Sequence, residues 1–359
     1  MRSLFLLFFF FCSVFTYAQQ AEHLIIITTD GFRWQELFTG MDTALANNKT
    51  YNEDDSSKLF TKYYSVILKD RRQKLMPFLW SVINEQGQIY GNRAFDNKVN
   101  NANPFWFSYP GYSEIFTGFV DTAINSNEHP PNSNTTILDF LQQQPNLKNK
   151  VAAFGAWEAF NNILNDKRAT FPVIAGFEKS GKINPSTNQL LIDEMLTNSY
   201  KPFDYAECLD VFTHYAAFNY LKEKKPSVLY ISYGETDEWA HAGKYKSYLN
   251  AANQVDKWIE EIWNYIQQDP YYKNKTALLI TTDHGRGDYI KNQWTSHGKK
   301  IVGSDEIWFA ILGPGIPAKG EIKANQQFFQ EQFAQTMAKL LGLTFKANHA
   351  IAAPIPYAK

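Results

Sequence analysis

Ala277–His297 reads ALLITTDHGRGDYIKNQWTSH. An apolar run, Ala277–Ile280, breaks off into Asp283 and His284, and His297 follows after a polar loop. Short apolar runs bounded by turn signals read as strands buried on both faces. In open α/β sheets, ligands bind just beyond the carboxyl ends of such strands. The device recurs. His23–Asp30 reads HLIIITTD and is followed by Gly31; Val228–Asp237 reads VLYISYGETD. Each run delivers an aspartate past its end. Aspartate is an ordinary loop residue at any one of these places. Three occurrences, two with a histidine close by, argue for a shared site.

Between these runs lie helical patterns. Tyr245–Gln267 places Tyr248, Ala252, Val255, Ile259, Ile262 and Ile266 on one face. Asp204–Lys224 reads as a helix closing in lysines, which suit a helix C-terminus, and Pro226 ends it. Cys208 falls inside that stretch. Thr135–Gln144 and Phe329–Leu341 read as further helices, Val151–Phe154 and Ile307–Leu312 as further strands. Met41–Lys58 is polar and reads as loop, and Asn161–Tyr200 as irregular. Strands alternating with helices predict a three-layer α/β/α sandwich around a central, mostly parallel sheet. No linker interrupts the pattern, so residues 19–359 are expected to form one catalytic domain.

Met1–Gln20 (MRSLFLLFFFFCSVFTYAQQ) has a basic start, an apolar stretch too short for a typical membrane span, and a small residue at Ala18. Residues 1–18 are therefore expected to be a signal peptide, the protein secreted or periplasmic, with no transmembrane anchor after cleavage. Cys12 lies in that segment, which leaves Cys208 without an intramolecular partner and suited to core packing. Net charge is −1 and no basic block occurs, so no nucleic-acid-binding surface is expected.

Two further stretches carry chemistry. Glu235–Gly243 reads ETDEWAHAG, with Asp237 and His241 four apart, on one face of any helical turn. Asn101–Gly118 reads NANPFWFSYPGYSEIFTG. Pro110 suits a first helical turn and Gly118 a helix end. Ser108 then sits at a helix N-terminus, where free amides favour an alkoxide or phosphoryl group. An ordinary capping serine reads equally well there. Asp30, Asp237, Asp283, His241, His284 and His297 make six candidate metal ligands. Mixed imidazole and carboxylate donors suit Zn²⁺ better than Ca²⁺. Six are too many for one tetrahedral site, whereas two zinc ions about 3.5–4 Å apart would use them all.

This order of motifs resembles the alkaline phosphatase superfamily, most closely its nucleotide pyrophosphatase/phosphodiesterase-like branch. The resemblance runs from Ile25–Gly31 to Met337–Gly342, through Ser108-Tyr109-Pro110, Asp237/His241, Asp283-His284-Gly285 and His297-Gly298. It implies that Asp30, Ser108, Asp283 and His284 hold one zinc and that Asp237, His241 and His297 hold the other. It implies Ser108 as the catalytic nucleophile, forming a phosphoserine, in a hydrolase of small-molecule phosphate esters, monoester or diester. The helix amides after Ser108 would bind phosphate oxygens. The family also holds phosphate with a side-chain amide some twenty residues past the nucleophile, where Asn125 and Asn127 lie; turn residues are the other reading of both. Arg286 is a further candidate for substrate binding, with an ion pair near the ligands as its alternative role. Phe107, Tyr109, Trp239 and Trp294 flank the ligands; at 16% aromatic content, packing is their expected role.

Sulfatases share the fold but need an arginine where Tyr112 stands after Ser108-Tyr109-Pro110-Gly111, and they use an oxygen-ligated calcium. Cofactor-independent phosphoglycerate mutases carry an inserted domain between nucleophile and later ligands, for which Gly118–Val228 is too short. A non-catalytic binding protein on this scaffold would lack a ligand, and none is missing.

Overall fold

The computed structural model describes residues 20–52, 55–128, 130–181 and 185–358; the signal-peptide reading of 1–18 lies outside them. The three apolar runs are adjacent central strands. β1 (His23–Thr29) pairs in parallel with β6 (Val228–Tyr233) on one side and β7 (Thr276–Thr281) on the other. Their side chains alternate between two cores. Ile25, Ile27, Leu229, Ile231, Leu278 and Ile280 join one, and Leu24, Ile26, Val228, Tyr230, Ala277 and Leu279 the other. A strand buried on both faces needs helices on both, and this produces the three layers. Tyr245–Gln268 packs on the first face; Ser108–Thr117 and Gln332–Leu340 cover the second.

The other strands are β2 (Gly87–Tyr90), β3 (Asn97–Asn100), β4 (Val151–Gly155), β5 (Val173–Ala175), β8 (Glu306–Ile307), β9 (Phe309–Leu312), β10 (Gly320–Glu321) and β11 (Gln326–Phe329). The main sheet has the order β10-β2-β9-β7-β1-β6-β4-β5, with β9 antiparallel to both neighbours and the other pairs parallel. A small sheet, β11-β3-β8, lies apart from it.

Several local expectations change. Ile307–Leu312 is two strands in different sheets, split at the buried Trp308, whose indole donates to Phe32 O at 2.9 Å. Met41–Lys58 holds the helices Thr43–Asn47 and Lys49–Asn52 and the start of Ser56–Tyr63, and Asp42 caps the first through the amides of Ala44 and Leu45. The irregular reading of Asn161–Tyr200 missed a helix over Thr187–Asn198, opened by a capping box of Ser186 and Gln189. That pairing of Ser with Gln three residues on was the available signal. The helix expected from Asp204 begins at Asp210, so Cys208 precedes it; its segment bonds back to Ala156 and is buried.

Asp256, buried in the long helix, accepts the amides of Phe78 (2.6 Å) and Leu79 (2.9 Å), and burial pushes its carboxyl up to about 7. A raised folded-state pKa gives stability that is full below the unfolded value and is lost as pH rises through about 7. The advantage of wild type over Asp256→Asn in urea unfolding is therefore expected to shrink by about 1–3 kcal/mol between pH 5 and pH 8. A constant difference would contradict this account.

Candidate metal centre and nucleophile

Asp30, Asp237 and Asp283 all lie past the carboxyl ends of the central strands, and the loop after Asp283 carries His284 and His297. Asp237 and His241 share a face of the helix Glu235–His241, with Asp237 Oδ2 and His241 Nε2 at 3.0 Å. His241 Nε2 is 3.0 Å from His297 Nε2. His284 Nε2 lies 3.3 Å from Asp30 Oδ1, 3.4 Å from Asp283 Oδ2 and 3.8 Å from Asp237 Oδ1. Ser108, first residue of its helix and buried, puts Oγ 3.2 Å from the same Nε2. Two ligand sets result, Asp30/Asp283/His284 and Asp237/His284/His297, with donor atoms in each within 4.8 Å of one another. His284 belongs to both. The six ligands expected from the sequence and Ser108 thus converge on one place.

The donor set fits cations. His284 Nδ1 is 2.8 Å from Gly285 O and His297 Nδ1 is 3.1 Å from Trp106 O. A carbonyl only accepts, so each Nδ1 carries a proton and each Nε2 is the nitrogen turned inward, where a metal could take it. Asp30 Oδ1 and Asp283 Oδ2 are buried without a hydrogen-bond partner. Buried carboxylate oxygens are costly unless they are paired or bind metal. Burial and the neighbouring charges of Asp283 and Asp237 hold the Asp30 carboxyl well above its ordinary range; burial pushes Asp283 up to about 7. Burial acts the same way on Asp237, but Arg286 and the imidazoles of His241 and His297 outweigh it and hold that group well below. The cluster opens to solvent at His241, whose side chain is 43% exposed while His284 is fully buried.

The backbone is shaped for this crowding. Gly31 has φ +57, and a Cβ there would lie 2.8 Å from Arg286 Nη1 and 3.2 Å from His284 Cε1. Its amide donates to Asp283 Oδ1 at 3.0 Å. In the loop before Ser108, the amides of Ala102 (2.8 Å) and Asn103 (2.9 Å) donate to buried Glu114, and Asn103 Oδ1 accepts those of Phe105 and Trp106, both at 3.0 Å. This holds Trp106 at φ +55, which costs a non-glycine residue about 1–3 kcal/mol and aims its carbonyl at His297.

The remaining candidates part company. Asn127 Oδ1 accepts the Tyr109 amide at 3.0 Å, beside the nucleophile. Asn125 is exposed and, among the described residues, shares no hydrogen bond with the cluster. Arg286 is buried and committed to protein: Nε to Trp294 O (2.8 Å), Nη2 to Thr295 O (2.7 Å) and Nη1 to Asp237. It is built as a brace for Asp237 rather than turned toward a substrate. The row of helix amides expected to meet phosphate also shrinks. Tyr109 N is taken by Asn127, Pro110 has none, and Gly111 N bonds Phe107 O, so Ser108 N alone remains in that turn. Tyr109 and Trp294 are fully buried packing residues; Phe107 sets its ring edge against His297. Thr236, Asn101 and Gln330 escaped the sequence reading, and Tyr112 entered it only as the residue standing where a sulfatase needs arginine. Tyr112 OH donates to Asp30 Oδ2 at 3.0 Å, and its spacing of four from Ser108 was a usable signal. Thr236 bonds Asp30 O, and Asn101 and Gln330 both donate to Asp283 O.

Residues 114–344 match the family model of the Metalloenzyme superfamily, and the chain belongs to that family. Its fold is that of the alkaline phosphatases. It superposes on alkaline phosphatase PafA with a TM-score of 0.58 at 10% identity, covering 94% of this chain and 99% of that one. The phosphonate monoester hydrolase of Agrobacterium radiobacter gives 0.56 at 12% identity, with 93% and 76% covered. Among curated proteins, GPI ethanolamine phosphate transferase 1 of Mus musculus is 26% identical over 153 residues, and that of Emericella nidulans 30% over 132. These matches take in 38% and 31% of this chain but only 16% and 14% of the relatives' lengths.

Proposed function

We propose that this protein hydrolyses phosphate esters through Ser108 at a di-zinc centre. The observation that carries the reading is the convergence of Ser108 Oγ, two inward-facing Nε2 nitrogens and two unpartnered carboxylate oxygens. Asp30, Asp283 and His284, with Ser108, would hold one zinc; Asp237, His241 and His297 the other. Such ions, when bound, supply positive charge that favours an ionised nucleophile and steadies the attacking and leaving oxygens. Ser108 Oγ attacks phosphorus, its new O–P bond forming as the ester O–P bond breaks, and water then cleaves the phosphoserine. The Ser108 amide and Asn127 hold the non-bridging oxygens, and Tyr112 keeps Asp30 in place. The signal-like segment at residues 1–18 supports action outside the cytoplasm.

The purified protein is expected to contain two zinc ions per chain. It should turn over p-nitrophenyl phosphate or bis-p-nitrophenyl phosphate, lose that activity to a chelator, and regain it with zinc. One calcium and no zinc by elemental analysis would favour a sulfatase-like enzyme instead. The matches to ethanolamine phosphate transferases favour a second acceptor, a hydroxyl in place of water. Product formation with added alcohol, without release of phosphate, would mark the protein as a transferase.

A further inference from the structure

Val66, Ile67 and Leu68 are consecutive and are 82%, 58% and 46% exposed. Val66 and Ile67 lie in the connection between the helices Ser56–Tyr63 and Leu68–Leu75, and Leu68 opens the second. Three adjacent aliphatic side chains in water are an anomaly in a folded surface unless something covers them. The turn itself is well anchored. Tyr63 OH and Lys62 Nζ both donate to Asn250 Oδ1 (2.7 and 2.8 Å), in the long helix that follows the ligand-bearing Glu235–His241 helix. The helix that leads into the tip is thus tied to the body of the protein.

Its surroundings are cationic. Residues 56–74 contain six Lys or Arg and a single acid, the exposed Asp70, while Glu53, Asp54 and Asp55 directly precede them. Two of the cations are neutralised, Lys58 by Asp55 and Arg72 by Glu321. Three others bond only neutral oxygens: Lys62 to Asn250, Arg71 Nε to Thr39 O and Lys74 to Tyr64 O. Among the described residues these three and the exposed Lys69 have no carboxylate partner. An apolar point flanked by more cations than acids matches the two layers of an anionic bilayer, acyl chains below and phosphate headgroups at the rim. A protein partner would have to offer a pocket with an acidic rim, for which nothing on this surface argues.

We infer that Val66–Leu68 is a docking tip that inserts into an anionic lipid surface, with Lys62, Lys69, Arg71 and Lys74 on the headgroups. The inference does not depend on the chemistry proposed for Ser108. Flotation of the purified chain with vesicles tests it, using phosphatidylcholine alone and phosphatidylcholine mixed with phosphatidylglycerol. Wild type should bind the mixed vesicles more tightly. The triple variant Val66→Ser, Ile67→Ser, Leu68→Ser should weaken that binding about a hundredfold. Lys69→Gln and Lys74→Gln should each weaken it about fivefold, and only where phosphatidylglycerol is present. The triple variant touches exposed side chains alone, so its melting temperature and p-nitrophenyl phosphate turnover should equal those of wild type. Failure of wild type to bind mixed vesicles, or equal binding by the triple variant, would overturn the inference. So would a wild-type dimer in solution that the triple variant dissociates, since the tip would then be a contact between copies.

Discussion

Ser108→Ala is expected to lower turnover of p-nitrophenyl phosphate by the zinc-loaded protein at least about a thousandfold while leaving the fold intact. The two halves of that expectation have separate causes. Oγ is the atom placed at the meeting point of the ligands, 3.2 Å from His284 Nε2, and an alanine offers no nucleophile there. Structurally the hydroxyl makes one contact, worth about 0.5–1.5 kcal/mol. The helix it opens is held elsewhere, by Glu114 in its middle and by Gly111, which packs so near Asp283 that a Cβ would reach its carbonyl at 2.5 Å. Unchanged circular dichroism beside lost turnover of the zinc-loaded variant would match. Intact-protein mass after an acid quench should show phosphate on wild type and none on the variant. Full turnover by Ser108→Ala would remove Ser108 from the chemistry.

The parts of this site legible in the sequence are those where chemistry sits at a strand end. Asp30, Asp237 and Asp283 each follow an apolar run, and the chain direction alone puts them on one edge of a parallel sheet. His241 came from a spacing of four on a helix. Less legible were residues whose role depends on contacts distant in sequence. Gln330 lies 47 residues from the Asp283 carbonyl it supports, and Thr236 lies 206 from the Asp30 carbonyl. No local pattern marks such partners. Glu114 was hidden differently. A glutamate inside an amphipathic helix reads as solvent-facing, yet it is buried and pushed up to about 7 by that burial, its two oxygens accepting amides from the loop before Ser108. The fold-level alternation survived because it rests on continuous strands buried on both faces. Met41–Lys58 did not, because short capped helices of polar residues carry too little apolar periodicity to register.

Arg286 is where position in the sequence and position in space pull apart, and Arg286→Met is expected to act on the metal centre through structure. The guanidinium ties three things together: Asp237 and the carbonyls of Trp294 and Thr295, three and two residues before His297. Arg33, from the other side, donates to Gly287 O at 3.0 Å, so the loop is pinned at both ends by buried arginines. Methionine keeps the volume but leaves Asp237 without its nearest cation and two carbonyls without donors. Removing one partner of a buried ion pair costs about 3–5 kcal/mol. Loss of a residue that orients ligands weakens metal binding about 10–100-fold. Arg286→Met should therefore melt lower than wild type and lose zinc at chelator concentrations that wild type withstands. Lysine keeps the charge but cannot span a carboxylate and two carbonyls with one ammonium, so Arg286→Lys should recover only part of either quantity. The opposite pattern, unchanged melting and zinc content with a raised KM alone, would mean that Arg286 turns to the phosphate after all.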